Sequence, residues 1–527
     1  MNFPDRTTAL ARLRTTRAID VLIVGGGING AGLLRELALN GVDALLVDKG
    51  DFAAGATSAS SRMIHGGLRY LENGEFRLVR ESLHERNRLL KNAPHAVKPL
   101  PTTIPIFSRW SGFANATAKF FDRTSKPSKR GAALVKIGLT LYDLFTARDR
   151  VLPTHSFAGR AAALRARPLL HPGVVCTATY YDAWIPLPER LCLELIDDAL
   201  TAHAGAQALN YVAAIATTPD GAVTLHDETT GEDFAVTPRV VVNATGAWID
   251  FANTALGQPT RFIGGTKGSH LIVDHPELLA ATAGHQLFYE NEDGRICIFF
   301  ALHGKVLVGS TDIRIENPDD AVCDEREIDY MLQSVRTVFP AIKIGREHIV
   351  SRFCGVRPLP ASEAGFTGRI SRDRARRDLA PAPPARPWPV YSLVGGKWTT
   401  FRAFAEQVAD KIFADLRRAR HTATHDTPIG GREPEPACHD PTALAHVVRT
   451  EAVVHLDDLL LRRTPLALFG QLTPNRFAAV AELVARELGW SPTYLTHEVT
   501  RTRELLATRH GVSFTAPVLN PQFSTLN

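Results

Sequence analysis

The sequence predicts an α/β protein: a Rossmann-like domain interrupted in sequence, an antiparallel β substrate domain, and a C-terminal α-helical domain. Three observations carry this. A strand–glycine loop–helix–strand pattern opens the chain, β-rich hairpin segments fill its middle, and its end shows helical periodicity with capping residues. At 527 residues the chain is also too long for one ordinary core, so two or three domains are expected.

Residues 20–24 (DVLIV) form a short apolar run before a glycine cluster. A helical pattern follows through Ala31, Leu34, Leu37 and Ala38, and Asn40 and Gly41 stop it. Residues 44–47 (ALLV) make the next strand, which ends at Asp48. This βαβ unit implies a parallel sheet. Residues 239–243 (RVVVN) and 390–394 (VYSLV) read as further buried strands of that sheet. Between about 251 and 345 the pattern changes to β-rich pieces joined by hairpin-like turns at residues 291–294 (NEDG) and 303–304 (HG). Residues 379–389 (LAPAPPARPWP) read as a loop, and 427–441 as a linker. Beyond it, Thr473-Pro474 and Ser491-Pro492 are N-cap/N1 pairs and Gly489 is a helix stop. Phe477, Val480, Val484 and Leu488 share one apolar face. The expected domains are 18–75, 165–250 and 346–425 for the Rossmann-like domain, 76–164 and 251–345 for the cap, and 440–520 for the helical domain.

Bulk properties narrow the function. Net charge is +5, from 60 basic and 55 acidic residues, too balanced for a nucleic-acid-binding surface. Cys176, Cys192, Cys297, Cys323, Cys354 and Cys438 are scattered without a C-x-x-C pair, which argues against a zinc site or a disulfide framework and fits a reducing, cytoplasmic setting. No metal site is expected. The first twenty residues carry four arginines and no apolar core of signal-peptide length. No apolar run long enough to span a membrane is present.

Residues 25–30 (GGGING) are a G-x-G-x-x-G that follows a strand, opens a helix, and has the acid Asp48 eighteen residues beyond Gly30. Gly25 suits the tight turn, Gly27 the approach of a pyrophosphate, and Gly30 close helix–strand packing. The helix N-terminus offers free N–H groups to phosphate, and Asp48 can accept from ribose hydroxyls. A tight β–α turn without ligand is the competing reading. A second hydroxyl- and glycine-rich loop, with Thr57, Ser58, Ser60, Ser61, Gly66 and Gly67, suits a longer cofactor with a flat ring.

Residues 58–86 (SASSRMIHGGLRYLENGEFRLVRESLHER) resemble the FAD-dependent glycerol-3-phosphate dehydrogenase family, in particular its aerobic, quinone-linked members. So do VNATGAW at 242–248, GTKGSH at 265–270, GSTD at 309–312, GVRP at 355–358, ISRD at 370–373 and GGKWTTFR at 395–402. The resemblance runs in order from about residue 18 to 420, and the helical end is similar as well. It implies an FAD-binding domain, oxidation of a small phosphorylated polyol, electrons passed to quinone, and peripheral contact with the cytoplasmic face of a membrane. Arg69 and Arg372 match arginines that grip the substrate phosphate, a task suited to a planar fork of donors. Arg357 matches a residue beside flavin and substrate hydroxyl, Lys397 one near the flavin edge, and His65 and Tyr70 active-site positions. The remaining cofactor contacts fall on Asn29, Ala244, Thr245, Gly246, Asp312, Gly396 and Thr399. His65 is the candidate base, because a guanidinium stays protonated.

Three departures matter. Phe299-Phe300-Ala301-Leu302 stands where a Pro-Trp pair is usual, which opens the pocket to a larger polyol such as erythritol 4-phosphate. Residues 111–131 look like a basic, Phe-containing insertion, either a solvated loop or a membrane-surface contact. Asp48 replaces the usual Glu. Residues 401–420 form an amphipathic pattern, either packed on the FAD domain or dipping into a membrane interface. A flavin amine or amino-acid oxidase and a non-catalytic flavoprotein are the competing functions. The oligomeric state stays open, a homodimer among its readings.

Overall fold

A computed structural model describes residues 1, 3–109, 131–362, 373–431 and 437–514. Two large sheets organise them. The first runs in the order Ala375–Leu379, Val390–Val394, Asp233–Asn243, Ala18–Val24, Ala44–Val47, Ala206–Leu209. Along this path the strands are parallel except the edge strand Ala375–Leu379, and Val212–Thr217 and Val223–Asp227 extend Asp233–Asn243 as an antiparallel flap. Both faces of the central strand are apolar because both are covered. Val21 and Ile23 pack under the helices Ile28–Ala38, Pro188–Ala202 and Phe401–Leu416. Leu22 and Val24 face the opposite way, towards Leu10 and Leu13 of the N-terminal helix Arg6–Thr15.

The second sheet runs Ile313–Arg314, Thr266–Val273, Lys305–Gly309, Ile296–Leu302, Gln286–Glu290, Lys98–Ile106, Cys176–Trp184, Met63–Ile64. Ile349–Arg357 joins it beside Thr266–Val273. The expected hairpins at 291–294 and 303–304 are present. The sheet is antiparallel apart from one parallel pair, Gln286–Glu290 with Lys98–Ile106. Cys176–Trp184 and Ile349–Arg357, which the sequence boundaries placed in the Rossmann-like domain, belong to this second sheet. An apolar alternation shows that a segment is a strand but not which distant partner it pairs with.

The second sheet is sandwiched. Phe299 packs under the helix Glu325–Val338, while Phe300 and Leu302 pack under the C-terminal helices. Those helices are Pro441–Thr450, Pro474–Leu488 and Pro492–His510, with a π-helical turn at Asp458–Arg463. Thr473 and Ser491 cap their helices through side-chain oxygens, and Gly489 takes φ 67°, as the sequence predicts. The 401–420 pattern resolves in favour of packing. Phe401, Phe404, Val408, Ile412 and Leu416 are buried in the core beneath the first sheet. Arg418 pairs with Asp20 and Arg420 with Glu36 and Asp410, and with the apolar face buried in the core the helix has no apolar face left to dip into a membrane. Residues 111–130 of the insertion lie outside the described residues. Among the described residues no helix is long and apolar enough to cross a membrane.

Candidate active site

Four loops converge at the C-terminal ends of the parallel strands, where open α/β sheets bind ligands. In the first, Gly25 has φ 113°, and a Cβ there would lie 2.6 Å from the Ala244 carbonyl. A Cβ on Gly30 would overlap the Gly25 carbonyl oxygen, so helix and strand approach closely only because both are glycine. Gly27 is the N-cap of Ile28–Ala38, and the Ile28 N–H donates to Thr57 Oγ1 at 3.0 Å. Asp48 accepts from the Gly26 N–H at 2.6 Å and the Gly50 N–H at 2.9 Å. Burial pushes its carboxyl up to about 6, against those two N–H groups, which pull it down.

The Asn29 amide donates to the Gly395 carbonyl at 3.3 Å, and its Oδ1 is buried without a partner among the described residues. Gly396, at φ 94°, leaves room for that side chain. Thr245 hydrogen-bonds Asn243, ahead of Gly246 at φ 63°. The glycine floor, the helix N-terminus, the acid at the end of the second strand and the orphaned Asn29 oxygen together fit a dinucleotide. Ser58 is different: its hydroxyl donates to Gly55 O, and it lines a separate cavity of about 290 Å³ with Trp248 and Arg462.

A cavity of about 180 Å³ lies against the second sheet, walled by its strands and by the 61–70 segment. Ser61, His65, Gly67, Tyr70, Asp312 and Arg357 line it, gathering residues from three motifs, 58–86, 309–312 and 355–358. Arg357 donates to Asp312 at 3.2 Å, Ser310 Oγ at 3.1 Å and the Thr311 carbonyl at 3.1 Å. Asp312, expected at the cofactor, thus stands on the cavity wall as the partner of Arg357. Lys397 Nζ sits 4.0 Å from the centre of the Tyr70 ring, a cation–π contact, and reaches Ser82 at 3.2 Å. Thr399 donates to the His65 carbonyl at 3.1 Å, joining the 395–402 motif to the histidine. Ser60 Oγ accepts from the Arg62 N–H at 3.2 Å. Arg372 lies outside the described residues, as does the side chain of Arg69, whose backbone is in the 3₁₀ turn Leu68–Asn73.

Sequence reasoning missed what holds this wall. The Gly66 N–H donates to Tyr142 Oη at 2.9 Å and Asp182 Oδ1 at 3.1 Å, and Arg86 pairs with Asp182 at 3.0 Å. Burial raises the Asp182 carboxyl above its ordinary value against the pull of Arg86. A Cβ on Gly66 would overlap Tyr142, and one on Gly67 would overlap the Tyr70 ring. Nothing local in YYDAW marks Asp182. The wall opposite is Gln286, Phe288, Ile296 and Ile298. Phe299 and Phe300 are fully buried in the cores on either side of the sheet, so the departure at 299–302 does not itself face the cavity. Strand alternation could have flagged the cavity-facing set.

A glycine-rich cradle at a switch point of a parallel sheet, with a separate cavity on the second sheet, is the class of arrangement that holds a dinucleotide cofactor apart from a small ligand. The FAD dependent oxidoreductase family matches residues 20–410, and the C-terminal domain of alpha-glycerophosphate oxidase matches 413–494. The chain is 37% identical over 439 residues to a glycerol-3-phosphate dehydrogenase of Synechocystis sp., covering 80% of this chain and 74% of that one. It is 33% identical over 425 residues to a D-erythritol 1-phosphate dehydrogenase of Brucella abortus, covering 79% and 77%. The aerobic glycerol-3-phosphate dehydrogenase of Escherichia coli is 32% identical over 400 residues, covering 75% and 73%. The structure of glycerol-3-phosphate dehydrogenase from Bacillus halodurans complexed with FAD shares the fold, with a TM-score of 0.72 at 20% identity over 95% of this chain and 97% of that one. The chain belongs to the FAD-dependent oxidoreductases and, within them, to the FAD-dependent glycerol-3-phosphate dehydrogenase family, and its cofactor is FAD.

Proposed function

We propose that this enzyme oxidises sn-glycerol 3-phosphate to dihydroxyacetone phosphate in the cavity lined by His65, Tyr70, Asp312 and Arg357. The observation that supports the reading is the lining of that cavity, which brings Ser61 and Gly67 of the hydroxyl- and glycine-rich loop together with Arg357 of the second sheet. Bound FAD supplies the acceptor for the hydride that leaves C2. The protein's own groups do the rest. Arg69 and Arg372 hold the substrate phosphate as planar donor forks. His65 removes the C2 hydroxyl proton as the carbonyl forms. Arg357, kept in place by Asp312 and Ser310, stabilises charge developing on that oxygen. Lys397 supplies positive charge near the reduced cofactor, and Thr57, Asn29, Asp48, Thr245 and Gly396 hold its nucleotide and ribityl portions. Quinone is the electron acceptor, reached by peripheral contact of this cytoplasmic enzyme with a membrane.

A four-carbon polyol phosphate is the second reading, favoured by the D-erythritol 1-phosphate dehydrogenase relative. Anaerobic bleaching of the FAD-loaded enzyme by a panel of polyol phosphates and amino acids tests both. Fastest bleaching by glycerol 3-phosphate is expected. Preference for an erythritol phosphate selects the second reading, and bleaching only by amino acids overturns both. Reoxidation by quinone analogues against oxygen then tests the acceptor.

A further inference from the structure

His270 lies buried in the strand Thr266–Val273, in contact with Ser61 of the cavity wall. Its ring stacks on Phe353 of the neighbouring strand, with centroids 5.0 Å apart and planes at 17°. Gly309 pairs with it on the other side, where a Cβ would overlap the imidazole. The ring is thus held in a slot. Its Nε2 lies 2.8 Å from Ser61 Oγ, and its Nδ1 is buried without a partner among the described residues. Burial, with the nearby charges of Arg357 and Arg62, holds the imidazole down to about 3, so it is neutral wherever the enzyme works.

A neutral imidazole carries one N–H. Placed on Nδ1, that donor would be buried and unpaired, the rarer and costlier kind of orphan; an unpaired ring lone pair is better tolerated. Hydrogen bonding therefore assigns the proton to Nε2, which donates to Ser61 Oγ. That leaves the Ser61 O–H directed elsewhere, and Ser61 lines the cavity beside His65 and Arg357.

We propose that His270 is a positioning residue: its Nε2–H holds the Ser61 oxygen so that the Ser61 hydroxyl donates into the cavity, to an acceptor atom of bound flavin or to the reacting oxygen of the substrate. The inference rests on the active-site reading above and assigns a donor that reading does not contain. Preorganised donors of this kind act without reorganisation during reaction.

The test uses the FAD-loaded enzyme and the variants Ser61→Ala, His270→Phe and His270→Gln. Phe keeps the stack on Phe353 and removes the donor; Gln reaches the Nε2 position with an amide N–H. Flavin absorption and midpoint potential without substrate, and kcat and KM with glycerol 3-phosphate, are measured. Ser61→Ala and His270→Phe are expected to lower kcat by about tenfold or more, and the double variant to be no worse than either alone. His270→Gln is expected to restore most of the loss. A shifted flavin spectrum or potential places the acceptor on flavin; an unshifted spectrum with altered kcat or KM places it on the substrate. Ser61→Ala with spectrum, potential, kcat and KM all unchanged overturns the proposal, as do strictly additive effects of the two sites. Should His270→Phe fail to fold, Ser61→Ala and His270→Gln still decide it. Wild-type enzyme that glycerol 3-phosphate cannot reduce would sink the proposed substrate, while the spectral comparison would still report on the dyad.

Discussion

His65 and Asp48 show how much a single side chain owes to its surroundings. His65 lines the cavity, its carbonyl tied to Thr399 and its ring 6.2 Å from that of Tyr70. His65→Ala should slow flavin reduction by on the order of 10²–10⁴-fold while FAD content stays the same. Stopped-flow anaerobic reduction reads this, and an unchanged rate removes His65 as the base. Asp48 makes a pH prediction. Its carboxyl protonates near pH 6, well above an ordinary aspartate, because burial penalises the charge. In the ribose contact proposed for Asp48 the charged form is the better acceptor, so FAD affinity should fall as pH drops through about 6. The release is read as recovered free-flavin fluorescence, and Asp48→Asn should flatten the profile. The glycines of residues 25–30, Asp48 and the HGG motif were legible in sequence because each answers a local demand on backbone or charge. His270 and Asp182 carried no such local mark: their partners, Ser61 and Gly66, are 209 and 116 residues away.

Elements turn those residues into a site. The helix Ile28–Ala38 can lie against its strand only because Gly30 has no Cβ to meet the Gly25 carbonyl. Gly30→Ala should therefore yield protein with little FAD and a lowered Tm; full flavin occupancy would contradict this. The strand Ile296–Leu302 divides its labour by position. Phe300 is buried against Trp184 in the core under the C-terminal helices, whereas Ile296 faces the cavity. Phe300→Ala should cost about 3–5 kcal/mol of stability and leave KM near wild type. Ile296→Ala should change the preference between three- and four-carbon polyol phosphates, which differ by one CHOH unit, by roughly tenfold. The reverse assignment of effects would return specificity to the 299–302 segment. The helices Ile28–Ala38, Phe401–Leu416, Pro474–Leu488 and Pro492–His510 and the caps Thr473 and Ser491 were legible because 3.6-residue periodicity and capping are local. The N-terminal helix Arg6–Thr15 lacked an apolar stripe strong enough to announce itself, and only Ala9, Leu10 and Leu13 are buried.

At the scale of the molecule, the helical domain is wired into the cofactor loop. Asp51, three residues after Asp48, is buried and accepts from Arg463 at 2.8 Å and from Asn210 at 2.9 Å, with Arg462 also paired to it. Despite burial, the two arginines hold its carboxyl below the ordinary value. Arg462 and Arg463 come from the π-helical turn of the C-terminal domain, so that domain neutralises a charge inside the FAD-binding one. Arg463→Met should leave Asp51 under-compensated and cost about 3–5 kcal/mol. The expected readout is a lower Tm, partly recovered by excess FAD because ligand binds only the folded state. An unchanged Tm would show that the two domains are not coupled through this pair.

What the sequence determined by itself is the class: glycine spacing, alternation and caps act over a few residues, and the ordered motifs carried the family. What the tertiary structure alone decided is partnership: which sheet receives Cys176–Trp184 and Ile349–Arg357, which residues of Ile296–Leu302 meet the cavity, and that the helix Phe401–Leu416 spends its apolar face on the core. Strand pairing, burial and ion pairing join residues hundreds of positions apart, and no local pattern encodes the distant half of such a contact.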